Sequence, residues 1–235
     1  MGTILIDASG MGLSTFWPDV RAIAAALGKL AVSPAFFEAF LVTNGRVLLA
    51  LAISMSFAIA VGYLLHRYAT VDAIASPIID FSRYIPVAAI IPVTIILFGI
   101  DDLQRISVLV FGTVFYAIVL VTAGFNNVPQ EYRDLGTVAG LNRRQLFRRV
   151  TWPAALPEVW QAVRISAGIC WSYILVAEIV AADTGIGFLV IRAQRFLQMD
   201  TLFALVIVTG MVGLVYDRVI VMLSKMTCAW AFEKR

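Results

Sequence analysis

Charged residues are scarce in this chain. Only 14% of its 235 residues are Asp, Glu, Lys or Arg, whereas soluble domains usually carry about a quarter. Hydrophobic residues make up 61% of the sequence, and the size of a core alone does not account for so low a charge content. The composition excludes an ordinary soluble domain and predicts an integral membrane protein.

Histidine and cysteine are also rare, which limits the chemistry that the chain can perform. There is one histidine, His66, and there are two cysteines, so a metal site is not expected. Cys170 falls inside a predicted helix and Cys228 near the inner face of the membrane, so we expect no disulfide between them. A phosphate-binding G-x-x-x-x-G-K-[S/T] loop is absent from the sequence. The net charge of +3 is too small to indicate nucleic-acid binding.

What the chain has instead is long apolar runs. Five of them approach the roughly 20 residues that a helix needs to cross a hydrocarbon core of about 30 Å. Backbone groups in lipid must be hydrogen-bonded within the protein, and none of the runs alternates with period two, so we predict helices. The five predicted spans lie between Arg46 and His66, Arg83 and Asp101, Arg105 and Glu131, Arg164 and Asp183, and from Thr201 to Lys225.

The first 42 residues differ from the rest, because charges recur every few positions and two prolines interrupt the pattern. The pattern predicts an amphipathic helix from Asp19 to Leu30 and a second one beginning at Pro34, both lying along the membrane surface. We expect no cleaved signal peptide, since a basic n-region and a long apolar h-region are missing at the start. The predicted organisation is a peripheral segment (1–42), a transmembrane domain (43–225) and a tail (226–235).

Lys and Arg are unevenly shared among the predicted loops. Cytoplasmic loops of membrane proteins are enriched in both residues, and the loop between the third and fourth spans holds most of the arginines. We therefore predict that this loop and the C-terminus are cytoplasmic and that the N-terminus lies outside. The exceptions, on the predicted outer side, are Arg21, Lys29, Arg192 and Arg195.

The arginine-rich loop, residues 129–157, has the pattern of two short helices joined at a glycine. Pro129 suits the first turn of one helix, and Gly140 suits the left-handed residue that ends it. Asn142 and Gln145 have the spacing of a capping box at the start of the next helix. That second helix is predicted to stop at Pro153.

Spacing gives this second helix an apolar face and a basic face, with Arg144 and Arg148 paired four residues apart. One interpretation is a basic helix that holds the loop against anionic lipid. The other interpretation is an element that docks on a partner protein. Docking needs a defined shape, which two capped helices at a fixed angle provide, whereas attachment to lipid needs only one helix.

The loop resembles the cytoplasmic signature of ABC importer permeases. That signature consists of Glu-Ala-Ala, then three residues, Gly, nine residues, Ile, one residue and Leu-Pro. Here "DLG" from Asp134 occupies the triplet, Gly140 the glycine, and "VTWP" from Val150 the end. Every spacing is kept, although only Gly140 and Pro153 match in identity. The stretches "RYIPVAAIIPVTIILFGI" and "AEIVAADTGIGFLVIRAQRFLQMDTLFA" resemble the nitrate, sulfonate and taurine type of permease. The similarity covers roughly residues 17–225, without the first helix of that type's usual six.

The resemblance implies an all-α membrane protein with the five-helix core of type I ABC importers. It implies a second permease copy or paralogue, ATP-binding subunits, and a solute-binding protein on the outer side of a bacterial inner membrane. It implies no cofactor in this chain, since ATP and magnesium would bind the partner ATPase. The residues implied to couple this chain to the ATPase are Asp134, Leu135, Gly136, Ala139, Gly140, Leu141, Arg144 and Phe147.

A few polar or helix-kinking residues inside the spans are candidates for the translocation path. Intramembrane acids are costly and mark functional or paired positions, so Glu178 is interpreted either as part of the path or as paired with another group. The prolines of the second span are expected to kink it and free backbone carbonyls. The path candidates are Pro86, Pro92, Thr94, Trp171, Tyr173 and Glu178.

The function implied is a transport subunit that moves a small anion or organic acid by alternating access. Two alternatives remain open. A secondary transporter half would show inverted repeats and several embedded charges, and a membrane-embedded enzyme would show clustered acids or histidines at the membrane face.

Overall fold

A computed structural model describes residues 18–181 and 183–232, and every regular element in these ranges is helical. Much of the N-terminal segment, residues 1–17, and the last three residues lie outside the described ranges. The elements are α1 (Val20–Ala31), α2 (Pro34–Arg67), α3 (Ala69–Arg83), α4 (Val87–Phe98), α5 (Asp102–Asn126), α6 (Gln130–Val138), α7 (Arg143–Leu146), a π turn (Phe147–Thr151), α8 (Trp152–Ala181), α9 (Ile186–Arg195), α10 (Met199–Thr227) and α11 (Ala229–Phe232).

Helix α2 is longer than a single span requires. Ser33 caps it by accepting a hydrogen bond from the Phe36 backbone N–H at 3.3 Å, and Pro34 occupies the first turn. Its 34 residues correspond to about 50 Å of helix. The expected surface helix beginning at Pro34 is therefore the first part of the first span, and Arg46 lies inside the helix instead of at its start.

The second predicted span, between Arg83 and Asp101, contains only the short helix α4, and a break at residues 84–86 separates α4 from the preceding helix α3. The expectation of one spanning helix kinked at its prolines is thereby corrected. Helices α3 and α4 meet at an angle of 97°. Pro86, which cannot donate a backbone hydrogen bond, lies in the break and precedes α4. With 12 residues, α4 is only about 18 Å long. It crosses the membrane only in combination with α3, a helix that the sequence did not predict.

The core of the bundle runs between α2, α5 and α8. Val47, Ala50, Ala117, Val121 and Phe125 are all fully buried along this seam. Small residues let the helices approach closely, as is typical of membrane bundles. With α10, these helices make four that are long and apolar enough to cross a membrane, and the bent pair α3–α4 makes a fifth.

Cys170 and Cys228 are both free thiols, as expected. The Asp217 carboxylate in α10 bonds the Arg164 guanidinium of α8. This ion pair joins two spans whose exposed surfaces are otherwise largely apolar.

Candidate functional site

Helix α6 ends at the glycine that the loop pattern requires. Gly140 has φ of +75°, a backbone conformation that residues with a Cβ atom rarely adopt. The Leu141 N–H donates to the Gly136 carbonyl at 3.1 Å, which is the long bond of a Schellman motif. The chain therefore turns from α6 into the next helix at a fixed angle.

The following helix begins with the predicted capping box. The Asn142 side chain accepts from the Gln145 backbone N–H at 3.0 Å, and the Gln145 side chain accepts from the Asn142 N–H at 3.0 Å. The two helices also touch, because a Cβ on Gly136 would lie 2.4 Å from a Leu146 methyl carbon. Glycine at position 136 permits this close contact.

The second helix does not stop at Pro153, contrary to the prediction. Residues Phe147–Thr151 form a π turn, and the Trp152 N–H bonds the Phe147 carbonyl five residues back. A π turn widens the helix locally and loosens the bonding pattern ahead of a proline. The missing N–H of Pro153 is thereby tolerated, and the helical path continues from Arg143 through the membrane as α8.

An aromatic cluster connects this π turn to the spans. The Phe147 ring centroid lies 4.2 Å from that of Tyr63 in α2, 5.8 Å from Phe125 in α5 and 6.2 Å from Trp152. The rings contact each other in tilted arrangements of the kind that stabilises aromatic pairs. The aromatic cluster thus links the π turn to α2 and α5 by direct contact.

The opposite side of the segment is exposed. Leu135 and Val138 in α6 expose 67% and 88% of their surface, although both are apolar. Four arginines of the following helix are exposed beside them. We call this set the coupling face: Leu135, Val138, Arg143, Arg144, Arg148 and Arg149. An apolar centre with a basic margin suits contact with a protein of complementary shape and charge.

The other predicted coupling residues fall around this face. Asp134 is exposed and accepts a hydrogen bond from the Gln130 amide at 2.8 Å, while Ala139 is exposed at the end of α6. Gly136, Leu141 and Phe147 point toward the rest of the segment. The sequence thus predicted residues of both the exposed and the supporting side.

The predicted path residues do not gather around one cavity. Trp171 is buried and donates to the Thr209 carbonyl of α10 at 2.9 Å. Tyr173, two residues later, packs on Gly112 of α5 and beside Val87 of α4. Thr94 is buried and accepts from Gln104 at 3.0 Å. Pro86 and Pro92 are exposed on the bent helix pair α3–α4, and Glu178 is buried.

Glu178 belongs to a buried polar network at the end of the bundle remote from the coupling face. Its carboxylate accepts hydrogen bonds from the Arg46 guanidinium at 2.7 Å, from the Thr43 hydroxyl at 2.9 Å and from the Gly187 N–H at 2.8 Å. Arg46 also donates to Asp102 at 2.6 Å. Four helices, α2, α5, α8 and the start of α9, meet in this polar network.

The turn between α8 and α9 requires glycine for space. A Cβ on Gly185 would lie 2.3 Å from a Glu178 oxygen, and one on Gly187 would lie 2.5 Å from the Glu178 Cβ. The Thr43 hydroxyl also accepts from the Ile186 N–H at 2.8 Å. The sequence Gly-Ile-Gly thus lets the backbone close over the buried carboxylate.

Sequence reasoning missed the partners of Glu178. Arg46 had been taken as the boundary of the first span, and Asp102 had been given no role. The available signal was Arg46 itself, since the apolar pattern resumes on its N-terminal side at Phe40, Leu41 and Val42. A basic residue inside a spanning helix, such as Arg46, in a chain with an embedded acid such as Glu178, indicates that the two form an ion pair.

Comparisons with known proteins agree with this architecture. Residues 50–227 match the family of binding-protein-dependent transport system inner membrane components. A probable ABC transporter permease of Brucella melitensis is 30% identical over 185 residues, which are 79% of this chain and 75% of the relative. The taurine transport system permease of Escherichia coli is 32% identical over 189 residues, which cover 80% and 68% of the two chains.

The fold also matches solved structures. The methionine ABC transporter in an inward-facing conformation superposes with a TM-score of 0.69 at 17% identity, over 83% of this chain and 99% of that one. The likeness extends over nearly the whole neighbouring chain and supports the helical architecture described above. This chain belongs to the family of binding-protein-dependent transport system inner membrane components, the permease subunits of ABC transporters.

Proposed function

We propose that two permease subunits of this kind form a path for a small anion and that ATP-binding subunits drive it by docking on the coupling face. As a member of its family, this chain is a transport subunit, and ATP hydrolysis takes place in a separate ATPase subunit. The second subunit is a further copy of this chain or a paralogue. ATP and magnesium would bind the ATPase, and the permease itself would hold no cofactor.

The observation that carries the proposal is the built shape of the coupling face. A segment that only adhered to lipid would need one basic helix. Here Gly140 and the capping box set two helices at a fixed angle, and Leu135 and Val138 are exposed between them and the arginines. We infer that the partner groove is apolar with acidic residues at its margin.

The proposed orientation follows from the same face. With the coupling face in the cytoplasm, the Arg46–Glu178 network lies near the outer surface, and α10 returns to the cytoplasm. A soluble binding protein would deliver the solute at the outer end. Membrane lipid would surround the spans, and no nucleic acid is involved.

The substrate class is a small anion or organic acid of the nitrate, sulfonate and taurine sort. Support comes from the resemblance of the α3–α4 and α8–α10 sequences to that type and from the relative named for taurine transport. The alternatives, a secondary transporter half or an embedded enzyme, receive less support, because the buried charged residues of the described chain, Arg46, Arg105 and Glu178, all form ion pairs.

Co-purification tests the proposal. The tagged permease is co-expressed with an ABC-type ATPase from the same genome and isolated, and Leu135→Glu, which places a charge in the apolar centre of the coupling face, should abolish the association. The matched control is Leu103→Glu, at another exposed leucine, which lies at the opposite end of the bundle. Retention of the ATPase by Leu135→Glu, or its absence from the wild-type preparation, would contradict the proposal. Uptake of radiolabelled taurine, with nitrate and methanesulfonate as competitors, then tests the substrate class.

A further inference from the structure

Arg83 ends α3 at a point about halfway through the bundle. Its carbonyl accepts a hydrogen bond from the Tyr116 hydroxyl at 3.0 Å. Tyr116 lies about 21 Å along α5 from Asp102 and about 15 Å from Asn126, the two ends of that span. Arg83 is therefore a basic residue near the middle of the membrane, although the apolar pattern of the sequence makes it the boundary of a span.

The guanidinium of Arg83 is only partly satisfied. One of its terminal nitrogens, Nη2, donates to Asp80 Oδ1 at 2.5 Å, one turn earlier in α3. Its Nε is buried and has no hydrogen-bond partner among the described residues. A buried donor without a partner costs free energy, so such a group in a folded protein requires an explanation. An anion that reached both Nε and Nη2 would satisfy the guanidinium more fully than Asp80 does.

The Asp80–Arg83 pair is also open to its surroundings. The Arg83 side chain is 26% exposed, and that of Asp80 is 54% exposed. Charged groups within membrane spans face the bundle interior or a water-filled cavity, because contact with hydrocarbon is costly. In a pair of permease subunits, this part of α3 is therefore expected to face the aqueous path and not the lipid.

Two aromatic rings hold the guanidinium without using its N–H donors. The guanidinium carbon lies 6.0 Å from the Tyr84 ring centroid and 5.9 Å from that of Tyr116. The ring faces attract the cation, whereas its N–H groups lie in the guanidinium plane and stay available to oxygen atoms. A narrow cleft at the break between α3 and α4, lined also by Tyr173 of α8, adjoins Arg83. The break thus holds an ordered cation beside the exposed Asp80 carboxylate.

We propose that Arg83 binds the transported anion halfway across the membrane and that the anion displaces the Asp80 carboxylate from the guanidinium. This inference rests on the proposed function, which supplies an anionic solute. Sulfonate, nitrate and carboxylate groups all present two oxygens that accept parallel bonds from one guanidinium. Asp80 neutralises Arg83 when no anion is bound, and its competition keeps binding weak enough for the anion to leave.

The first test measures anion binding without a binding protein. The purified permease–ATPase complex in nanodiscs of zwitterionic lipid is heated with increasing methanesulfonate, at constant ionic strength, and the concentration for a half-maximal rise in unfolding temperature is determined. Arg83→Gln should raise that concentration by about tenfold or more, since charge-assisted hydrogen bonds to the anion are lost. Asp80→Asn should lower it by about threefold or more, because the competing carboxylate is removed while Arg83 remains.

Arg164→Gln is the matched control. Arg164 is likewise a partly exposed arginine of a span that pairs with a single carboxylate, Asp217. Its replacement should change the unfolding temperature itself but leave the half-maximal methanesulfonate concentration unchanged. A purely structural role of the Asp80–Arg83 pair predicts the same behaviour for Arg83→Gln and Asp80→Asn, so either an unchanged concentration in both variants or weaker binding in both would overturn the Arg83 site.

Uptake by proteoliposomes separates this inference from the proposed function. With the purified binding protein and radiolabelled taurine, Arg83→Gln should reduce uptake by about tenfold while the ATPase still co-purifies. Wild-type uptake in Arg83→Gln would overturn the Arg83 site and leave the proposed function intact. A wild-type complex that takes up none of taurine, nitrate and methanesulfonate would instead contradict the proposed function.

Discussion

Arg46 Nη1 in α2 lies 2.7 Å from Glu178 Oε1 in α8, although the two residues are 132 positions apart in the sequence. Arg46 is 4% exposed and Glu178 is not exposed at all. Burying both charges is costly, so their bond adds less to stability than its length suggests. What it fixes is register, since α2 and α8 place both groups together only in one alignment.

Removing one member of this pair should be strongly destabilising, because the other charge is left buried with fewer partners. Glu178→Gln is expected to cost about 3–5 kcal/mol and to lower the unfolding temperature in detergent. Arg46→Met/Glu178→Leu should recover much of that loss, since no buried charge remains without its partner. Asp183→Asn, which alters a carboxylate that is 84% exposed, should cost about 1 kcal/mol or less. Equal losses in Glu178→Gln and Asp183→Asn would contradict the assignment.

The conformation of Gly140, rather than its small size, should govern the coupling segment. A Cβ at this position would meet no atom within 4 Å, so only the positive φ restricts the residue. Asn adopts this conformation readily, whereas Val does not. Gly140→Asn should therefore keep ATPase association and uptake, while Gly140→Val should impair both; co-purification and transport assays measure the difference.

Gly168→Val provides a reference for Gly140. Gly168 lies in α8, and a Cβ there also meets nothing within 4 Å. Its backbone is helical, so valine should cost little beyond helix propensity and leave ATPase association unchanged. If Gly140→Val behaves like Gly168→Val, the left-handed residue is not required for coupling.

Truncation of Phe147 should separate ATP hydrolysis from transport. Phe147→Ala removes the ring that contacts Tyr63, Phe125 and Trp152, whereas the exposed coupling face is untouched. We expect the ATPase to associate and hydrolyse ATP while uptake per ATP falls several-fold. Phe147→Tyr keeps the ring and should retain coupling. Loss of ATPase association in Phe147→Ala would show that the aromatic cluster supports docking instead of transmission.

A methyl group at position 112 should push α5 away from α4 and α8. A Cβ on Gly112 would lie 2.6 Å from the Tyr173 ring and 2.7 Å from a Val87 methyl carbon. Gly112→Ala should cost about 1–3 kcal/mol through overpacking. Thermal unfolding checks this, and Gly112→Ala/Tyr173→Ala/Val87→Ala, which removes both the ring and the methyl carbon, should relieve the clash. A fully stable Gly112→Ala would mean that the helices separate easily at this point.

The fold class followed from composition, and the spans α2, α5, α8 and α10 followed from apolar runs bounded by charges. The same use of charges as boundaries produced the main errors. Arg46 is inside a helix because a partner carboxylate makes its burial tolerable. Sequence along one helix carries no information about a partner 132 residues away, so the network could not be predicted from local pattern.

Proline gave a second kind of error. Pro86 was expected to kink a single span, and it separates two helices at 97°. Pro153 was expected to stop a helix, and a π turn accommodates it. The capping box and the left-handed glycine were correctly predicted, because both depend on residues within one or two turns of each other. Local interactions are readable from sequence, whereas tolerance of a proline depends on the surrounding helices.

The helical path from Arg143 to Val180 is continuous for 38 residues. At 1.5 Å per residue it is about 57 Å long, and it has coupling-face arginines at one end and Glu178 at the other. A tilt of only about 5° about one end would displace the other end by about 5 Å. Because Glu178 and the start of α9 are both hydrogen-bonded to α2, the same tilt would displace α2 and α9 together with the end of α8. Events on the two sides of the membrane are therefore mechanically joined by a single stretch of backbone.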